Sequence, residues 1–470
     1  MSGDAFVAGL AVVGTVIVLS TLLSGAIERI GVPHIAVFLL FGAALGPGGL
    51  DLFGTGLDSP ILRVVATLSL VLVLFTDAMT LDLAEVKRRV GLAVRMLGPG
   101  TIVSAAVIAI AGWWMLDLPP AGAAILGAGL ASTDPVLLRG LLRRPDIPGE
   151  ARLALRLESG LNDVVLLPIV IVAMPFLLEG SDVSLGRAAL NLFALGPAAG
   201  ALIGLVGVAL LDLVRRRIGV RRDYESIYSL GVAFAAFAAA ESVHGSGFLA
   251  AFAAGMTIVW FDVELCDCFV EYGETTGEML LLFTFVLLGT GPIWAGLDGI
   301  DGTAVAFVAV ALAVRPLVTF ASLIGSSLSR RDRLLVAWYG PRGLSSLLLV
   351  LLPVFAGAPG STRLFHLCSM VVLASVVLHG GSLTFAAWRA RGGARRRSDD
   401  GENLLITLDE LAALEKSGEH VVIVDVRTDR SARESHDQAA GAVRLRLDDP
   451  EASAAELGIP TSARVALYCA

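Results

Sequence analysis

Charged residues are scarce in this sequence. Asp, Glu, Lys and Arg make up 17% of its 470 residues, whereas 56% are hydrophobic, and the mean hydropathy is +0.79. Soluble globular proteins carry about 25% charged residues, so this composition excludes an ordinary soluble domain. No nucleic-acid partner is expected, and the net charge of −8 carries little meaning by itself because a membrane protein's charges act loop by loop. We interpret the chain as a polytopic membrane protein that lies in a lipid bilayer.

Cysteine is also rare. Cys266, Cys268, Cys368 and Cys469 are irregularly spaced, which predicts neither a disulfide framework nor a four-ligand zinc site, and no cofactor is expected. The N-terminus has Asp4 but no Lys or Arg before its first apolar run, so it lacks the basic region of a cleaved signal peptide. The first apolar segment is therefore expected to remain as a helix.

Apolar windows of about 20 residues predict an all-α membrane protein with about thirteen transmembrane helices. The windows are 5–27, 33–50, 60–80, 91–116, 121–143, 153–178, 187–214, 226–243, 245–260, 270–291, 301–325, 331–355 and 364–388. Lys and Arg cluster after the third, fifth, seventh, eleventh and thirteenth windows. By the positive-inside rule, the N-terminus is predicted to lie outside the cell membrane and the C-terminus in the cytoplasm.

The composition becomes polar after Arg397. We predict a transmembrane domain over residues 1–390, a linker over 391–402 and a small cytoplasmic α/β domain over 403–470. Within the last, Val421–Val426 is typical of a buried parallel strand, Arg464–Tyr468 of a second strand and Leu408–Ser417 of a short helix.

Two predicted helices are interrupted near their middles, by Thr133-Asp134-Pro135 in the fifth window and by Gly340-Pro341-Arg342-Gly343 in the twelfth. Proline removes a backbone donor and disfavours the α conformation of the preceding residue, so both helices are expected to break. If the first and last six windows form two repeats, each break falls in the fifth helix of its repeat, and the two helices run in opposite directions. Inverted repeats with broken helices are typical of secondary transporters, whose site lies where the breaks meet.

Two carboxylates, Glu158 and Asp163, lie in the apolar sixth window. An ionisable side chain at membrane depth is costly and usually functional. On a helix Asp163 shares a face with Ser159, and Glu158 shares the adjacent face with Asn162. Desolvation favours the neutral form of a carboxylic acid, so we expect Asp163 to hold a proton and a small cation alternately.

The sequence leaves two possible roles for each of two further acidic residues. Asp134 either contributes to the ion site or only caps a broken helix, since Asp is a common capping residue. Asp77, in the third window, either lines the access path or is a polar kink residue.

Together these motifs resemble the NhaP-like sodium/proton antiporters and the eukaryotic sodium/hydrogen exchangers. The resemblance covers about residues 5–388 and rests on Thr133-Asp134-Pro135, on Glu158 to Asp163 and on Gly340 to Gly343. It implies a secondary transporter, not an enzyme, that forms a homodimer and exchanges Na⁺, with K⁺ and Li⁺ as alternatives, for H⁺ in pH and sodium homeostasis. Asn162 before Asp163 implies electroneutral exchange of one proton per cation.

The resemblance also implies a role for each site residue. Asp163 is the carboxylate that binds the cation or the proton. The cation's oxygen shell is completed by Asp134, Ser159 and the backbone carbonyl of Thr133. The supporting residues are Asn162, Glu158, Arg342 and Asp77. Of these, Glu158 and Arg342 are expected to form a charge pair that holds the helices together.

The tail resembles a rhodanese-like domain in the stretches Val424–Arg427, Glu434–His436 and Leu467–Ala470. In rhodaneses a cysteine after the last of these strands carries sulfur on its thiolate, and Cys469 holds that position. The cradling loop is missing after Cys469, so sulfur transfer is not expected. Two rival functions remain: an ion or pH sensor that signals through this domain, and a membrane-anchored sulfurtransferase.

Overall fold

The computed structural model describes residues 34–81, 83–134, 147–178, 190–219, 222–261, 267–297, 300–382, 421–426, 441–445, 456–460 and 463–468, with a few isolated positions elsewhere. The chain divides into two compact units, Met1–Ala387 and Trp388–Ala470. In the described residues the first unit is helical, whereas the second contains a small sheet.

The described part of the first unit contains the following helices, in chain order. They are α1 His34–Leu45, α2 Pro60–Thr80, α3 Leu83–Arg88, α4 Val90–Leu116, α5 Pro120–Ala131, α6 Gly149–Ala173, α7 Asn191–Arg217, α8 Arg222–Ser242, α9 Gly247–Phe261, α10 Asp267–Gly289, α11 Gly302–Ser322, α12 Arg330–Trp338, α13 Leu344–Phe355 and α14 Ser361–Gly380. Single π-helical stretches lie within α4, α7 and α14, at Met96–Val103, Asn191–Leu195 and Val376–Gly380.

Within the described residues, six helices are long and apolar enough to cross a membrane: α2, α4, α6 with its continuation to Leu177, α7, α11 and α14. Shorter apolar helices include α1, α5, α8, α9 and α13. Every predicted window from the second to the last overlaps one of the described helices. The first window, 5–27, lies largely outside the described residues, so the total of about thirteen spans stays a prediction.

Local sequence determines where several helices begin. Pro60 and Pro120 occupy the first positions of α2 and α5, where a missing N–H leaves no helical hydrogen bond unmade. Asp301 caps α11, because its carboxylate accepts a hydrogen bond from the Ala304 N–H at 2.6 Å.

Small residues let α7 and α9 pack backbone against backbone. A Cβ atom at Gly200 would overlap the backbone of Ala250, and one at Gly204 would press on the backbone of Ala254. Close approach through glycine and alanine is common between membrane helices, where the hydrophobic effect does not drive association.

The largest apolar core among the described residues joins residues of α1, α2, α4, α5, α6, α7, α9, α10, α11, α13 and α14, and it includes Ala131 and Leu344, which flank two interruptions. α5 ends at Ala131, and the non-helical residues 132–134 are called the first break. α12 ends at Trp338 and α13 begins at Leu344, so residues 339–343 are called the second break. Both predicted interruptions are confirmed, whereas the inverted-repeat relation stays a prediction.

The described part of the second unit contains a parallel sheet in the order β2-β1-β3, formed by β1 Val421–Asp425, β2 Val443–Arg444 and β3 Arg464–Tyr468. The two strands that the sequence predicted, β1 and β3, are confirmed. The predicted helix at Leu408–Ser417 lies largely, and Cys469 entirely, outside the described residues. The rhodanese-like resemblance and the domain limits at 390 and 403 stay predictions.

Candidate functional site

α6 carries the predicted acids and the amide into the interior. Glu158, Asn162 and Asp163 are each no more than 3% exposed. A buried charge is stable only when it is paired or hydrogen-bonded, so the partners of these side chains define the site.

The first break supplies the partners of Asp163 and Asn162. The Ser132 hydroxyl donates to Oδ1 of Asp163 at 2.5 Å. Nδ2 of Asn162 donates to the Thr133 carbonyl at 3.2 Å. Because residues 132–134 are not helical, the Thr133 carbonyl is not used within a helix and accepts from α6 instead.

The two breaks are hydrogen-bonded to each other. The Asp134 N–H donates to the Pro341 carbonyl at 3.0 Å. The Leu344 N–H donates to Oδ2 of Asp134 at 2.6 Å. Asp134 therefore caps the first turn of α13, the helix that follows the opposite break, and its carboxylate lies at the positive end of that helix dipole. The capping role considered for Asp134 is thus present, while its place in the ion shell stays a prediction.

A buried arginine stabilises the C-terminal end of the helix before each break. Arg342 donates through Nη1 to the carbonyls of Ala131 and Ser132, at 2.9 and 3.0 Å. Arg315 of α11 donates through Nη1 to the carbonyl of Ala337 at 2.9 Å. The last carbonyls of a helix lack backbone partners and carry partial negative charge. Each guanidinium therefore supplies the missing hydrogen bonds and a positive charge at one helix end.

The expected pairing of Glu158 with Arg342 is wrong, because Glu158 pairs with Arg315. Nη2 of Arg315 lies 2.6 Å from Oε2 of Glu158, and Nε donates to Oε1 at 3.1 Å. The physical reason is that the Arg342 guanidinium is directed to the carbonyls of the first break. Arg342 still supports the crossing of the breaks, but by capping α5 and not by ion pairing.

Ser159 and Ser132 differ from the expectation in their contacts. The Ser159 hydroxyl donates to the Arg156 carbonyl of its own helix, at 3.4 Å, whereas Ser132 contacts Asp163 directly. Ser345, in the first turn of α13, also interacts with the Asp163 carboxylate. The place of Ser159 in the cation shell stays a prediction.

Asp77 lies beside the breaks. A small cavity is lined by Asp77 of α2, Glu274 and Glu278 of α10, Asp134 of the first break and Ser345 of α13. A cavity with acidic walls raises the local concentration of cations. Its position beside Asp134 supports the alternative in which Asp77 lines the access path, and that role stays a prediction.

The site presents oxygen atoms of several kinds around α6 and the first break: the Asp163 carboxylate, the Ser132 hydroxyl, the Thr133 carbonyl and the Asn162 amide oxygen. Oxygen ligands suit hard cations. Oδ1 of Asn162 is buried and has no hydrogen-bond partner among the described residues. An unsatisfied buried acceptor costs about 1–3 kcal/mol, a cost that a bound cation would offset.

The sequence did not predict three residues of the site: Arg315, Ser132 and Ser345. Arg315 had a usable signal, since a lone arginine in the apolar eleventh window needs a buried partner. Ser132 is adjacent to the predicted interruption. No pattern distinguishes Ser345 from its neighbour Ser346, because only the position of α13 shows which of the two is near Asp163.

Comparison with known proteins shows to which family the chain is related. Residues 16–389 match the family described as "Sodium/hydrogen exchanger, transmembrane". The chain is 28% identical over 383 residues to the K⁺/H⁺ antiporter NhaP2 of Shewanella sp. (strain MR-4), covering 79% of this chain and 65% of that protein. It is 25% identical over 383 residues to the K⁺/H⁺ antiporter NhaP of Alkalimonas amylolytica, covering 80% and 66%. The chain thus spans slightly less than two thirds of the length of each of these relatives.

A solved structure shares the fold. The sodium proton antiporter MjNhaP1 from Methanocaldococcus jannaschii at pH 8 matches with a TM-score of 0.66 and 22% identity, covering 81% of this chain and all of that chain. The first unit therefore has the same helical, multi-spanning membrane fold, and the relatives are secondary transporters and not enzymes. Because the family match extends over most of the sequence, the chain belongs to the sodium/hydrogen exchanger family.

Proposed function

We propose that this protein exchanges a monovalent cation for protons across the cell membrane, with Asp163 as the group that binds each in turn. The observation that supports this most directly is the Asp163 carboxylate, 3% exposed and set against the crossing of two broken helices. Na⁺ is the proposed cation, with K⁺ as the main alternative because the NhaP relatives are named K⁺/H⁺ antiporters, and with Li⁺ as a third.

Competition for one carboxylate provides the coupling. A protonated Asp163 lacks the charge that attracts a cation, and a bound cation repels a proton. Either occupant leaves the site close to neutral, which lowers the cost of keeping it in a low-dielectric interior. An empty, charged site is the costly state, so the carrier changes its access with one ion or the other bound.

The test is exchange in inside-out vesicles that contain a fluorescent pH dye, after addition of Na⁺, K⁺ or Li⁺ across a range of pH. Wild type is expected to dissipate the proton gradient with at least one cation, and Asp163→Asn is expected to reduce exchange to background while the purified protein stays folded. Asp212→Asn is the matched control, because Asp212 is half-exposed, lies far along α7 from the breaks and pairs with Arg216 of its own helix, at 2.9 Å. Exchange at the wild-type rate in Asp163→Asn would contradict the proposal.

The exchange is proposed to be electroneutral, because Asn162 and not a second acid precedes Asp163. Moving a net charge would couple transport to the membrane potential by about 2.3 kcal/mol per 100 mV. In proteoliposomes on a solid support, a sodium pulse is expected to give no voltage-dependent current. A clear current would show that a second carboxylate, with Asp134 the nearest candidate, also transfers a proton.

The proposed cellular role is pH and sodium homeostasis by a homodimer whose N-terminus is outside and whose tail is cytoplasmic. The tail is proposed to be an incomplete rhodanese-like module with a regulatory or interaction role. The orientation is tested with variants that carry one introduced cysteine near one terminus. Labelling of that cysteine by a membrane-impermeant reagent shows on which side of the membrane the terminus lies.

A further inference from the structure

We propose that His379 of α14 is a positioning residue for the exchange, because with its neighbours Ser375 and Ser382 it holds both ends of the second break in place. The proposal rests on the cation exchange inferred above. It assigns to His379 a role that acts through the second break and not by contact with the ion. The evidence is the set of contacts that this buried imidazole makes.

His379 is a buried polar side chain in an apolar helix. It is 4% exposed and belongs to the π-helical stretch Val376–Gly380 of α14. Single π-helical turns within α-helices occur frequently at functional sites. A buried polar group is stable only when it is hydrogen-bonded, so the partners of the imidazole indicate what it does.

One ring nitrogen holds Ser375 against the second break. Nδ1 of His379 lies 3.0 Å from the Ser375 hydroxyl and 3.1 Å from the Ser375 carbonyl. The Ser375 hydroxyl in turn accepts a hydrogen bond from the Arg342 N–H at 2.8 Å. Since a hydroxyl has two lone pairs and one proton, it can accept from Arg342 and donate to Nδ1 at the same time. His379 thus fixes the hydroxyl that anchors the later part of the second break.

The imidazole also contacts the residue that precedes the second break. It is hydrogen-bonded to the backbone of Trp338, the last residue of α12, and the two ring centroids are 5.7 Å apart. The Trp338 indole N–H donates to the Ser382 hydroxyl at 3.3 Å, in the helical turn that continues α14. Ser375, His379 and Ser382 are four and three residues apart, so they share one helix face. These three residues, called the clamp, contact Trp338 before the second break and Arg342 within it.

The position of the second break matters because the ion site depends on it. The Pro341 carbonyl and the Leu344 N–H both bind Asp134, and the Arg342 side chain caps α5. Hydrogen bonds weaken steeply when they bend, and a binding site needs its groups held to within about 0.5 Å. Loosening the clamp should therefore weaken cation binding at Asp163 through the second break.

The clamp requires a neutral imidazole. A neutral ring has one N–H and one lone pair, so with the N–H directed to the Trp338 carbonyl, the Nδ1 lone pair accepts from the Ser375 hydroxyl. Protonation would remove that lone pair. The charged side chains that act on the ring are Arg315 and Arg342, and neither can accept a hydrogen bond from an imidazolium. The proposed role is therefore one of position, and it predicts that His379 does not contribute to the pH dependence of exchange.

The experiment titrates the cation that the wild type prefers in the vesicle assay at one fixed pH, and then repeats the assay across a range of pH. His379→Ala removes both contacts and is expected to raise the half-saturating concentration about tenfold, with a maximal rate within about twofold of wild type. The amide of His379→Asn can take the place of Nδ1, and that of His379→Gln the place of the other ring nitrogen. Each should therefore keep one contact and raise the half-saturating concentration only about threefold. These two variants keep the test decisive even if the alanine variant folds poorly.

His366→Ala is the matched control, because His366 belongs to the same helix but lies about 20 Å away along its axis, where its backbone packs against Gly296. The control should leave the half-saturating concentration unchanged, and a rise equal to that in His379→Ala would overturn the proposal.

Two other results would also overturn it. If the His379 variants lower only the maximal rate or the unfolding temperature, at unchanged half-saturation, then His379 has a merely structural role. If the pH profile moves in these variants, His379 binds a proton itself and is not a positioning residue alone. Absence of any cation-dependent signal in the wild type is a distinct result, because it would refute the exchange on which the proposal rests.

Discussion

Glu158 of α6 and Arg315 of α11 form a two-point ion pair in the interior of the first unit, with Nη2–Oε2 and Nε–Oε1 distances of 2.6 and 3.1 Å. Both side chains are almost completely shielded from solvent. The same guanidinium also donates to the Ala337 carbonyl at the end of α12. One arginine thus joins the helix of the candidate ion site to the helix before the second break.

Removal of one partner of this pair is expected to be more damaging than removal of both. Arg315→Met leaves the Glu158 carboxylate buried without its counter-charge, which should lower the free energy of unfolding by about 3–5 kcal/mol. Arg315→Met combined with Glu158→Gln removes both charges and should recover part of that loss. Thermal unfolding of the purified protein in detergent measures the difference.

A second double-mutant cycle, with Arg342→Met in place of Arg315→Met and again with Glu158→Gln, is the control for the ion pair. Since Arg342 is hydrogen-bonded to the carbonyls of Ala131 and Ser132 and not to Glu158, its coupling energy with Glu158 should be clearly smaller than that of Arg315. Equal coupling energies would contradict the pairing described here.

Two substitutions of Asp134 separate its capping role from a role in the ion shell. Asn keeps an oxygen that can accept from the Leu344 N–H, whereas Ala removes the cap, which is worth about 1 kcal/mol. If capping is the main role, Asp134→Asn should retain most of the stability and exchange, and Asp134→Ala should lose both. Loss of exchange in both variants, with stability lost only in Ala, would assign the carboxylate to the ion shell. Exchange rates and unfolding temperatures measured side by side decide between the two.

Gly343 is expected to tolerate no side chain. A Cβ atom there would overlap the Asp134 carboxylate and push it away from the Leu344 N–H. Such overpacking typically costs about 1–3 kcal/mol, so Gly343→Ala should lower both stability and exchange. Gly160→Ala is the control on α6, because a Cβ atom at Gly160 meets nothing within 4 Å, and alanine is favoured over glycine within a helix by about 1 kcal/mol. Equal tolerance of the two substitutions would show that the breaks are packed less closely than described.

Gly200 provides an equivalent test away from the ion site. Gly200→Ala places a methyl group on the backbone of Ala250 and should separate α7 from α9, lowering the unfolding temperature. Gly231→Ala on α8 has open space at its Cβ and should not lower it. If both variants unfold at the wild-type temperature, the contact between α7 and α9 does not depend on close backbone approach.

The helices and their interruptions could be predicted because the signals are local. Apolar windows reflect the thickness of a bilayer, and Pro135 and Pro341 each lack the N–H that a regular helix uses. The parallel strands of the tail were predictable for a similar reason, since Val421–Asp425 is a short apolar run rich in β-branched residues.

The partners across the site could not be predicted in the same way. Helical periodicity shows that Glu158 and Asn162 share a face, but it does not show which arginine lies opposite, and proximity to a known motif favoured Arg342 over Arg315. Likewise, helical periodicity placed Ser159 one turn from Asp163, whereas the hydroxyl that contacts Asp163 comes from Ser132. Ser132 lies on a non-helical segment, where helical periodicity predicts nothing. Such contacts depend on how separate helices are positioned, which a single sequence does not encode locally.

The crossing of the two breaks also restricts how the helices can move. A motion that pulled the breaks apart would break the hydrogen bonds of Asp134 with Pro341 and Leu344 and that of Arg342 with Ala131, and buried groups that lose their partners are costly. Shifting the whole crossing together with α6 and α11 leaves all of these bonds intact. We therefore expect the first unit to change conformation by moving the two breaks, α6 and α11 as one body, with the changes of contact confined to its edges.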